Sequence, residues 1–193
     1  MTVAAIVLAG GASTRLGRAK QLVEVGGGLL LQRVVDAVAE WPVDPVVVVL
    51  GSSADEILDT VDFGDAIVAI NEGWEEGIAS SLRVGLDILS RDSTLTHALI
   101  ALGDQPTIPD EVPAGLIAAA QESNRPAIVP VYRYDRGNPV LLARSLWERL
   151  MALEGEIGAS GFLRSHPLLV EEVRFDHMPP RDLDTEFDIA DFD

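Results

Sequence analysis

The sequence predicts an α/β fold in which a mostly parallel sheet is covered by helices on both faces. Apolar runs of strand length alternate along the 193 residues with segments of helical period, and this alternation is typical of parallel sheets. The run at 45–50 contains four consecutive valines, which indicates a strand buried on both faces.

The first part of the chain contains three predicted strands and two predicted helices. Residues 3–8 form an apolar run that stops at a glycine pair, as a strand does where it enters a loop. Residues 29–40 carry apolar side chains at helical spacing, so we expect an amphipathic helix there. After the valine run at 45–50, a short helix is predicted at 54–60 and a third strand at 66–70.

The middle of the chain repeats this order. A helix is predicted at 78–89, behind a glycine-containing loop, and a strand at 98–102, which stops at Gly-Asp-Gln-Pro. Pro113 is well placed in the first turn of a predicted helix at 113–123, because the N–H that proline lacks has no helical partner there. Residues 127–131 are again an apolar run of strand length.

The last part adds two predicted strands and three predicted helices. A short strand at 140–142 follows Gly-Asn-Pro, and the last strand is expected at 170–175. The helices are predicted at 146–153, 157–165 and 186–192. No repeat, low-complexity tract or linker divides the sequence, so a single domain spanning 1–193 is expected.

Composition narrows the classes of function. The absence of cysteine excludes a disulfide scaffold, cysteine-ligated zinc and a cysteine nucleophile. No apolar segment approaches the roughly 20 residues of a membrane span, and no leader pattern begins the chain, so a soluble, cytoplasmic protein without a membrane partner is expected. A formal net charge of −17 without a basic stripe disfavours nucleic acid. The three histidines lack metal-ligand spacing.

The loop after the first predicted strand is the most informative segment. A glycine pair is followed by two hydroxyl residues and then by the cations Arg15, Arg18 and Lys20. Glycines let backbone N–H groups approach phosphate oxygens, and cations neutralise the remaining charge. A polyphosphate site is therefore favoured over the alternative, a solvated turn. The residues predicted to bind the nucleotide here are Leu8, Ala9, Gly10, Gly11, Ser13, Thr14, Arg15 and Lys20.

Two familiar phosphate motifs are absent. The chain contains no G-x-x-x-x-G-K-[ST], so the loop is not a P-loop. No G-x-G-x-x-G follows the first predicted strand, which excludes the dinucleotide-binding fingerprint.

Asp104 is the first candidate metal ligand. It stands where the strand at 98–102 ends, and ligands of open α/β sheets bind at the carboxyl ends of strands. Mg²⁺ is held by one or two carboxylates together with substrate phosphates. A turn-capping role for Asp104 is the alternative, but the neighbouring glycine loop favours the metal.

These segments resemble a known family. Leu8-Ala9-Gly10-Gly11, followed by Arg15-Leu16-Gly17 and Lys20, is similar to the signature of the MobA-like NTP transferases. That family includes molybdenum cofactor cytidylyltransferases and molybdopterin-guanine dinucleotide synthases. The resemblance spans nearly the whole chain. It implies a Rossmann-like three-layer sandwich of the nucleotide-diphospho-sugar transferase type.

The resemblance also assigns residues further along the chain. Gly103-Asp104-Gln105-Pro106 resembles the family's metal-binding segment, and Asp182-Leu183-Asp184-Thr185 its near-terminal segment. Asp184 is accordingly the predicted second metal ligand, with a solvated acidic tail as the alternative. Ser80 and Ser81 match a segment that lies against the nucleotide base in the cytidylyltransferase branch, although N-capping explains them equally.

The acceptor side is less conventional. Arg136, Gly137 and Asn138 resemble the family's acceptor-side turn, where Arg136 is expected to hold the incoming phosphate; a plain surface turn is the alternative. The family pattern has Asp and Arg where this chain has Glu156 and Ser160. The missing arginine removes an expected acceptor contact and weakens the assignment of molybdopterin.

The reaction that the resemblance implies is nucleotidyl transfer. The acceptor's phosphate attacks the α-phosphorus of CTP or GTP, and pyrophosphate leaves. Arg15, Lys20 and Asp104 are the predicted catalytic residues, with Asp104 and Asp184 on Mg²⁺. CTP is favoured over GTP because the segments around Asp104 and Ser81 resemble the cytidylyl branch, whereas the glycine pair resembles the guanylyl branch.

Two rival functions remain open at this stage. One is a diverged family member with redox or other chemistry, since a fold alone does not fix a function. The other is a non-catalytic nucleotide-binding accessory protein that delivers a cofactor. The expected partners are an NTP, a phosphorylated acceptor such as molybdopterin, and a molybdoenzyme or accessory protein.

Overall fold

The computed structural model describes residues 1–133 and 135–192. The strands are β1 (Val3–Ala9), β2 (Glu24–Val25), β3 (Gly28–Leu29), β4 (Val46–Leu50), β5 (Ile67–Ile70), β6 (His97–Leu102), β7 (Ala127–Val131), β8 (Val140–Ala143) and β9 (Val170–Arg174). The α-helices are α1 (Leu30–Ala39), α2 (Ala54–Thr60), α3 (Ile78–Ser90), α4 (Glu111–Glu122), α5 (Trp147–Met151), α6 (Ala159–Ser165) and α7 (Glu186–Ala190). Among these residues, no helix is long and apolar enough to cross a membrane.

Seven strands form the main sheet, in the order β5-β4-β1-β6-β8-β7-β9. Strand β1 lies near its centre and pairs in parallel with β4 and β6. The only antiparallel strand of this sheet within the described residues is β8, which runs against both β6 and β7. The predicted mostly parallel α/β sheet is therefore confirmed.

Alternate residues of β1 face two different apolar layers, as the two-residue period of a strand requires. Ala5, Val7 and Ala9 pack with α1, α2 and α4 on one side. Ala4, Ile6 and Leu8 pack with α3, α5 and α6 on the other. Every residue of β1 is buried, because helices cover both faces of the sheet. The sheet therefore has the three-layer arrangement that the sequence predicted.

A hairpin before α1 was missing from the sequence prediction. Strands β2 and β3 pair antiparallel across Gly26 and Gly27, whose φ angles of 54° and 81° are both positive. Two adjacent positive φ values define the type I′ turn, which glycine adopts without strain. Leu29 therefore belongs to β3, and the predicted helix at 29–40 begins one residue later and ends at Ala39.

Several predicted boundaries also move. The predicted helix at 146–153 is only α5, because the chain enters it through a 3₁₀ turn at Arg144–Leu146. The predicted helix at 157–165 begins two residues later, after an extended Gly158. The helix predicted at 113–123 begins earlier, at Glu111.

The C-terminal segment packs on the hairpin through its own small apolar cluster. Leu183 is completely buried against Val23, Val25 and Leu30. Its backbone N–H also donates to the carbonyl oxygen of Asp104 at 3.2 Å. These contacts bring the end of the chain back to the edge of the sheet where β6 ends.

Candidate functional site

The carboxyl ends of the parallel strands form the edge where the candidate functional side chains collect. Strands β1 and β6 are neighbours, and Leu8 is paired with Leu102. The loops that follow these two strands therefore begin side by side, where open α/β sheets bind ligands. A cavity of about 520 Å³, called here the first cavity, opens at this edge.

The first cavity brings together nearly all the residues that the sequence predicted for a polyphosphate and its metal. They come from the glycine loop, the start of α3, the loop after β6 and the C-terminal segment. The predicted residues that line it are Leu8, Ala9, Gly10, Gly11, Ser13, Thr14, Arg15, Lys20, Ser81, Asp104 and Asp184. Ser80 is not part of this lining.

Close packing explains the first glycine of the loop. A Cβ atom on Gly10 would lie 2.8 Å from the Ser81 hydroxyl oxygen, whereas one on Gly11 would meet nothing within 4 Å. The loop then turns at Ser13, whose φ of 53° is left-handed. The Ser13 hydroxyl accepts the backbone N–H of Lys20 at 3.1 Å. Close packing at Gly10 therefore restricts the start of the loop, and the hydrogen bond from Lys20 to Ser13 closes its end.

Gln21 is a site residue that the sequence analysis missed. Its side chain is 2% exposed, and its amide donates to the carbonyl oxygens of Ala9 at 2.8 Å and Gly11 at 3.2 Å. One carbonyl belongs to the last residue of β1 and the other to the glycine loop, so the buried Gln21 side chain fixes the path of the chain between them. The only sequence signal was a polar residue between Lys20 and an apolar stretch, which does not distinguish a brace from a surface position.

Four charged side chains meet on the wall of the first cavity. The ammonium of Lys20, the only lysine in the sequence, lies 2.5 Å from Asp104 Oδ2 and 2.8 Å from Asp184 Oδ1. Arg15 contacts the other oxygen of Asp184 at 2.9 Å. The two predicted metal ligands are therefore on either side of the same cation, although 80 residues of sequence separate them.

The charges around Lys20 stabilise its protonated form. Burial acts to lower the pKa of Lys20, but the charges and hydrogen bonds of Asp104 and Asp184 outweigh that effect and raise it. Lys20 therefore remains protonated and positively charged at neutral pH.

One oxygen of Asp104 has the character of a metal ligand. Oδ2 contacts Lys20, whereas Oδ1 is buried and has no hydrogen-bond partner among the described residues. A buried carboxylate oxygen without a partner is costly, and hard divalent cations bind such oxygens. No cluster of three or more His, Cys, Asp or Glu side chains suited to a metal is found within 1–133 and 135–192. The unpartnered Oδ1 of Asp104 is therefore the oxygen that suits a divalent cation.

The start of α3 is organised around a buried asparagine. The Asn71 amide donates to the hydroxyls of Ser80 at 2.7 Å and Ser81 at 3.0 Å. The Ser80 hydroxyl also contacts the carbonyl oxygens of Gly73 and Gly77. Ser80 thus stabilises the loop before α3 through hydrogen bonds, whereas Ser81 lines the first cavity.

A second cavity of about 430 Å³ adjoins the first. Leu8, Ile78, Leu102 and Glu156 line both cavities. The turn predicted to hold the acceptor lies in the wall of the second cavity, through Arg136, Gly137 and Asn138.

Arg136, the residue of this turn that was predicted to bind a phosphate, forms an ion pair within the protein. The guanidinium of Arg136 forms an ion pair with Glu172 at 2.5 Å. The turn itself is anchored by Tyr132, whose hydroxyl donates to the carbonyl oxygen of Asn138 at 2.6 Å. Burial raises the pKa of Tyr132, so its phenol stays protonated as that donor.

Four polar side chains that line the second cavity are linked to one another by hydrogen bonds. The Ser160 hydroxyl donates to Asn138 Oδ1 at 3.3 Å, and the Asn138 amide donates to Gln105 Oε1 at 3.3 Å. The Gln105 amide then donates to Asp182 Oδ1 at 2.6 Å. The pKa of Asp182 is raised, first by desolvation and then by the nearby charges of Asp104 and Asp184. We call these four side chains the polar row.

Two short segments each contribute side chains to both cavities, and one backbone hydrogen bond connects the segments. In the loop after β6, Asp104 faces the first cavity and Gln105 the second. In the C-terminal segment, Asp184 faces the first cavity and Asp182 the second, with Leu183 buried between them. The backbone hydrogen bond from Leu183 to Asp104 joins the two segments.

The sheet, the glycine loop and the strand-end carboxylate define an α/β protein of the nucleotidyltransferase fold. More specifically, the chain belongs to the MobA-like NTP transferase domain family, whose model matches residues 5–171. The family predicted from the residues of the glycine loop is thereby confirmed.

Solved structures from mycobacteria are similar over nearly the whole chain. The homologue of Mycobacterium tuberculosis Rv0371c from Mycobacterium sp. strain JC1 is 31% identical, with a TM-score of 0.88, and covers 98% of this chain and 93% of its own. The structure of Rv0371c in complex with manganese, from M. tuberculosis H37Rv, is 25% identical, with a TM-score of 0.86, over 100% and 98% of the two chains.

A curated relative matches over a shorter range. The bifunctional protein GlmU of Lactococcus lactis subsp. cremoris strain MG1363 is 34% identical over 109 residues, which is 55% of this chain. This chain spans only 23% of the length of that protein.

Proposed function

We propose that the protein is a metal-dependent nucleotidyltransferase that transfers CMP, or less readily GMP, from an NTP to a phosphorylated acceptor. The observation that supports this best is the meeting of Lys20, Asp104 and Asp184 beside the glycine loop. A cavity edged by backbone N–H groups and cations suits a triphosphate. The adjoining second cavity offers room for an acceptor.

The step itself needs no nucleophile from the protein. A phosphate oxygen of the acceptor forms a bond to the α-phosphorus of the NTP, and the bond from that phosphorus to the oxygen bridging to the β-phosphate breaks. Pyrophosphate leaves with the bridging oxygen. The protein contributes position and charge, as in other phosphoryl-type transfers. The Arg15 and Lys20 side chains would stabilise the leaving pyrophosphate.

Asp104 and Asp184 are the residues that would hold a divalent metal, for which we propose Mg²⁺. The unpartnered Oδ1 of Asp104 supports this. The metal would supply charge neutralisation at the transferring phosphate. Lys20 at present contacts both carboxylates, so its ammonium is placed to turn towards the triphosphate when those oxygens bind a cation.

Molybdopterin is the acceptor that we propose, on the strength of the family, and a molybdoenzyme or accessory protein would receive the product. Arg136, Gly137 and Asn138 would border the acceptor, and Ser81 and the loop before α3 would border the base. We propose a cytoplasmic location, because the reaction consumes an NTP.

Pyrophosphate release with a panel of phosphorylated acceptors tests the proposal. We expect release with Mg²⁺ and CTP, slower release with GTP, and none without an acceptor. Binding of NTP without modification of any acceptor in the panel would count against transfer and favour the accessory-protein alternative. An excess of guanylylated product, with CTP and GTP competing at equal concentration, would reverse the proposed base preference.

Asp104→Asn provides the critical variant. Loss of a metal ligand at a transferring phosphate costs several kcal/mol, so we expect turnover to fall about a thousandfold or more. The matched control is Asp110→Asn, which makes the same chemical change at the start of α4, outside both cavities. If Asp104→Asn keeps about half of the wild-type rate with saturating Mg²⁺, against that expected loss, Asp104 is not a ligand.

A further inference from the structure

The second cavity contains an arginine that no other side chain of the described protein engages. Arg164 lies on α6 and lines this cavity. All 14 lysine and arginine residues fall within the described residues, and 12 of them have an ion pair, a hydrogen bond or a ring contact. Within 1–133 and 135–192, only Arg164 and Arg174 have none; both are exposed, and of these two only Arg164 lines a cavity.

The pairing of the other cations makes this position informative. The molecule carries a net charge of −17, so an arginine at its surface has many carboxylates available. Arg136, in the same cavity, is neutralised by Glu172. Glu156 and Asp182 also line the cavity, yet neither forms an ion pair with Arg164. Of the two arginines that line the second cavity, Arg164 is therefore the one whose charge is not balanced by an ion pair.

Arg164 lies beyond the Ser160 end of the polar row. The polar row runs from Asp182, beside Asp104, through Gln105 and Asn138 to Ser160. Ser160 is thus the end remote from the metal-site carboxylates. Arg164 follows Ser160 by four residues on α6, so it lies on the same helix face, about 6 Å further along the axis.

From this placement we infer that Arg164 binds a second anionic group of the acceptor, distinct from the phosphate that attacks the NTP. The inference rests on the proposed function, because it takes the reacting phosphate to lie at the Asp104 end. The apolar side chains of Ile100, Val129, Val140 and Leu163 line the same cavity alongside the polar row. The substrate class is accordingly a phosphorylated acceptor that carries a second anionic group, a phosphate or a carboxylate.

Binding of simple probes tests this without any need for turnover. The probes are linear alkanediol bisphosphates of increasing chain length, and the matching alkanol monophosphates serve as their one-charge counterparts. Titration calorimetry with saturating Mg²⁺ and the non-cleavable α,β-methylene analogue of CTP measures their affinities, because without a cation the Asp104 end presents carboxylates to a phosphate. We expect wild-type protein to prefer a bisphosphate of one intermediate length over its monophosphate. Because arginine forms charge-assisted hydrogen bonds to phosphate, we expect Arg164→Gln to lower the affinity for that bisphosphate by about tenfold or more.

Arg174→Gln is the matched control, since it removes an exposed arginine that also has no partner but lines neither cavity. It should leave the bisphosphate preference intact, and Arg164→Lys should restore part of it. Moving the charge by one turn, in the double variant Ser160→Arg with Arg164→Ser, should shift the preferred bisphosphate to a shorter chain.

Three outcomes would overturn the inference. They are equal affinities for bisphosphate and monophosphate in the wild type, an equal loss in Arg174→Gln, and an unchanged preferred length in the double variant. Circular dichroism of each variant establishes that it is folded. Failure of the proposed function is seen separately, as absent NTP binding and absent pyrophosphate release, and those measurements do not depend on Arg164.

Discussion

At the scale of single residues, Lys20 connects the two carboxylates that the proposed reaction needs. Its ammonium contacts Asp104 and Asp184 at once, and it lines the first cavity but not the second. A compact point charge in this place acts on whatever lies in the first cavity. The two substrates are therefore expected to respond differently to its removal.

Lys20→Ala should weaken CTP binding by about tenfold or more, since hydrogen bonds to charged groups contribute about 1.5–3 kcal/mol. Affinity for an acceptor should be almost unchanged. Calorimetric titration of each substrate alone measures both effects. The control is Arg18→Ala, a cation of the same loop that pairs with the exposed Glu186 and lines neither cavity. An acceptor defect as large as the nucleotide defect would place Lys20 on the wrong side of the reacting centre.

Adjacent glycines of the loop differ in what they tolerate. A Cβ on Gly10 would come within 2.8 Å of the Ser81 hydroxyl, and the neighbouring Gly51 backbone lies at 3.5 Å. Gly10→Ala should therefore lower the free energy of unfolding by about 1–3 kcal/mol. Gly11→Ala meets nothing within 4 Å and should leave stability unchanged or raise it by up to about 1 kcal/mol. Urea unfolding of both variants decides this, and equal losses would contradict the packing argument.

At the scale of elements, the C-terminal segment depends on one buried side chain. Leu183 fills the small cluster on the hairpin between β2 and β3 and holds Asp182 and Asp184 at the two cavities. Leu183→Ala should cost about 2–5 kcal/mol of stability. CTP affinity should fall with it, because Asp184 is no longer fixed. Leu168→Ala, at a side chain that is 77% exposed, should change neither quantity. Unfolding and CTP titration at low temperature measure the two effects, and full CTP affinity in a destabilised Leu183→Ala would show that the segment needs no anchor.

The same elements show where sequence reasoning succeeds. Strand β1 and the valine run of β4 were predicted because two buried faces leave an unbroken apolar run in the sequence. The edge that carries Asp104 and the glycine loop was predicted because both follow strands of an α/β sheet, and ligands of such sheets bind at the carboxyl ends of the strands. The approach of Asp104 to the glycine loop was therefore accessible before any coordinates.

The remainder depends on contacts that leave little trace in the sequence. The hairpin of β2 and β3 has two residues per strand, too few for an alternating pattern to be read. Gln21 is buried by a fold that brings two carbonyls to it. The unpaired state of Arg164 emerges only when the partners of every other cation are known.

At the scale of the whole molecule, the proposed function requires an acidic protein to attract an anionic substrate. The net charge of −17 repels an NTP at long range. The cations of the first cavity act at short range, where screening by salt is weak. Long-range repulsion is therefore more sensitive to ionic strength than local attraction. The stability of the fold should also depend on ionic strength.

We expect the melting temperature to rise as KCl is increased from about 0.01 M to 0.15 M, over which the screening length falls from about 30 Å to about 8 Å. Self-repulsion among 31 acidic and 14 basic residues is then damped. The surface ion pairs weaken too, but each contributes only about 0–1 kcal/mol, so the repulsive part dominates. Scanning calorimetry in EDTA, which excludes divalent binding, measures the change. A melting temperature that falls with KCl would mean that the ion pairs, including those around Asp184, stabilise the fold more than the excess charge destabilises it.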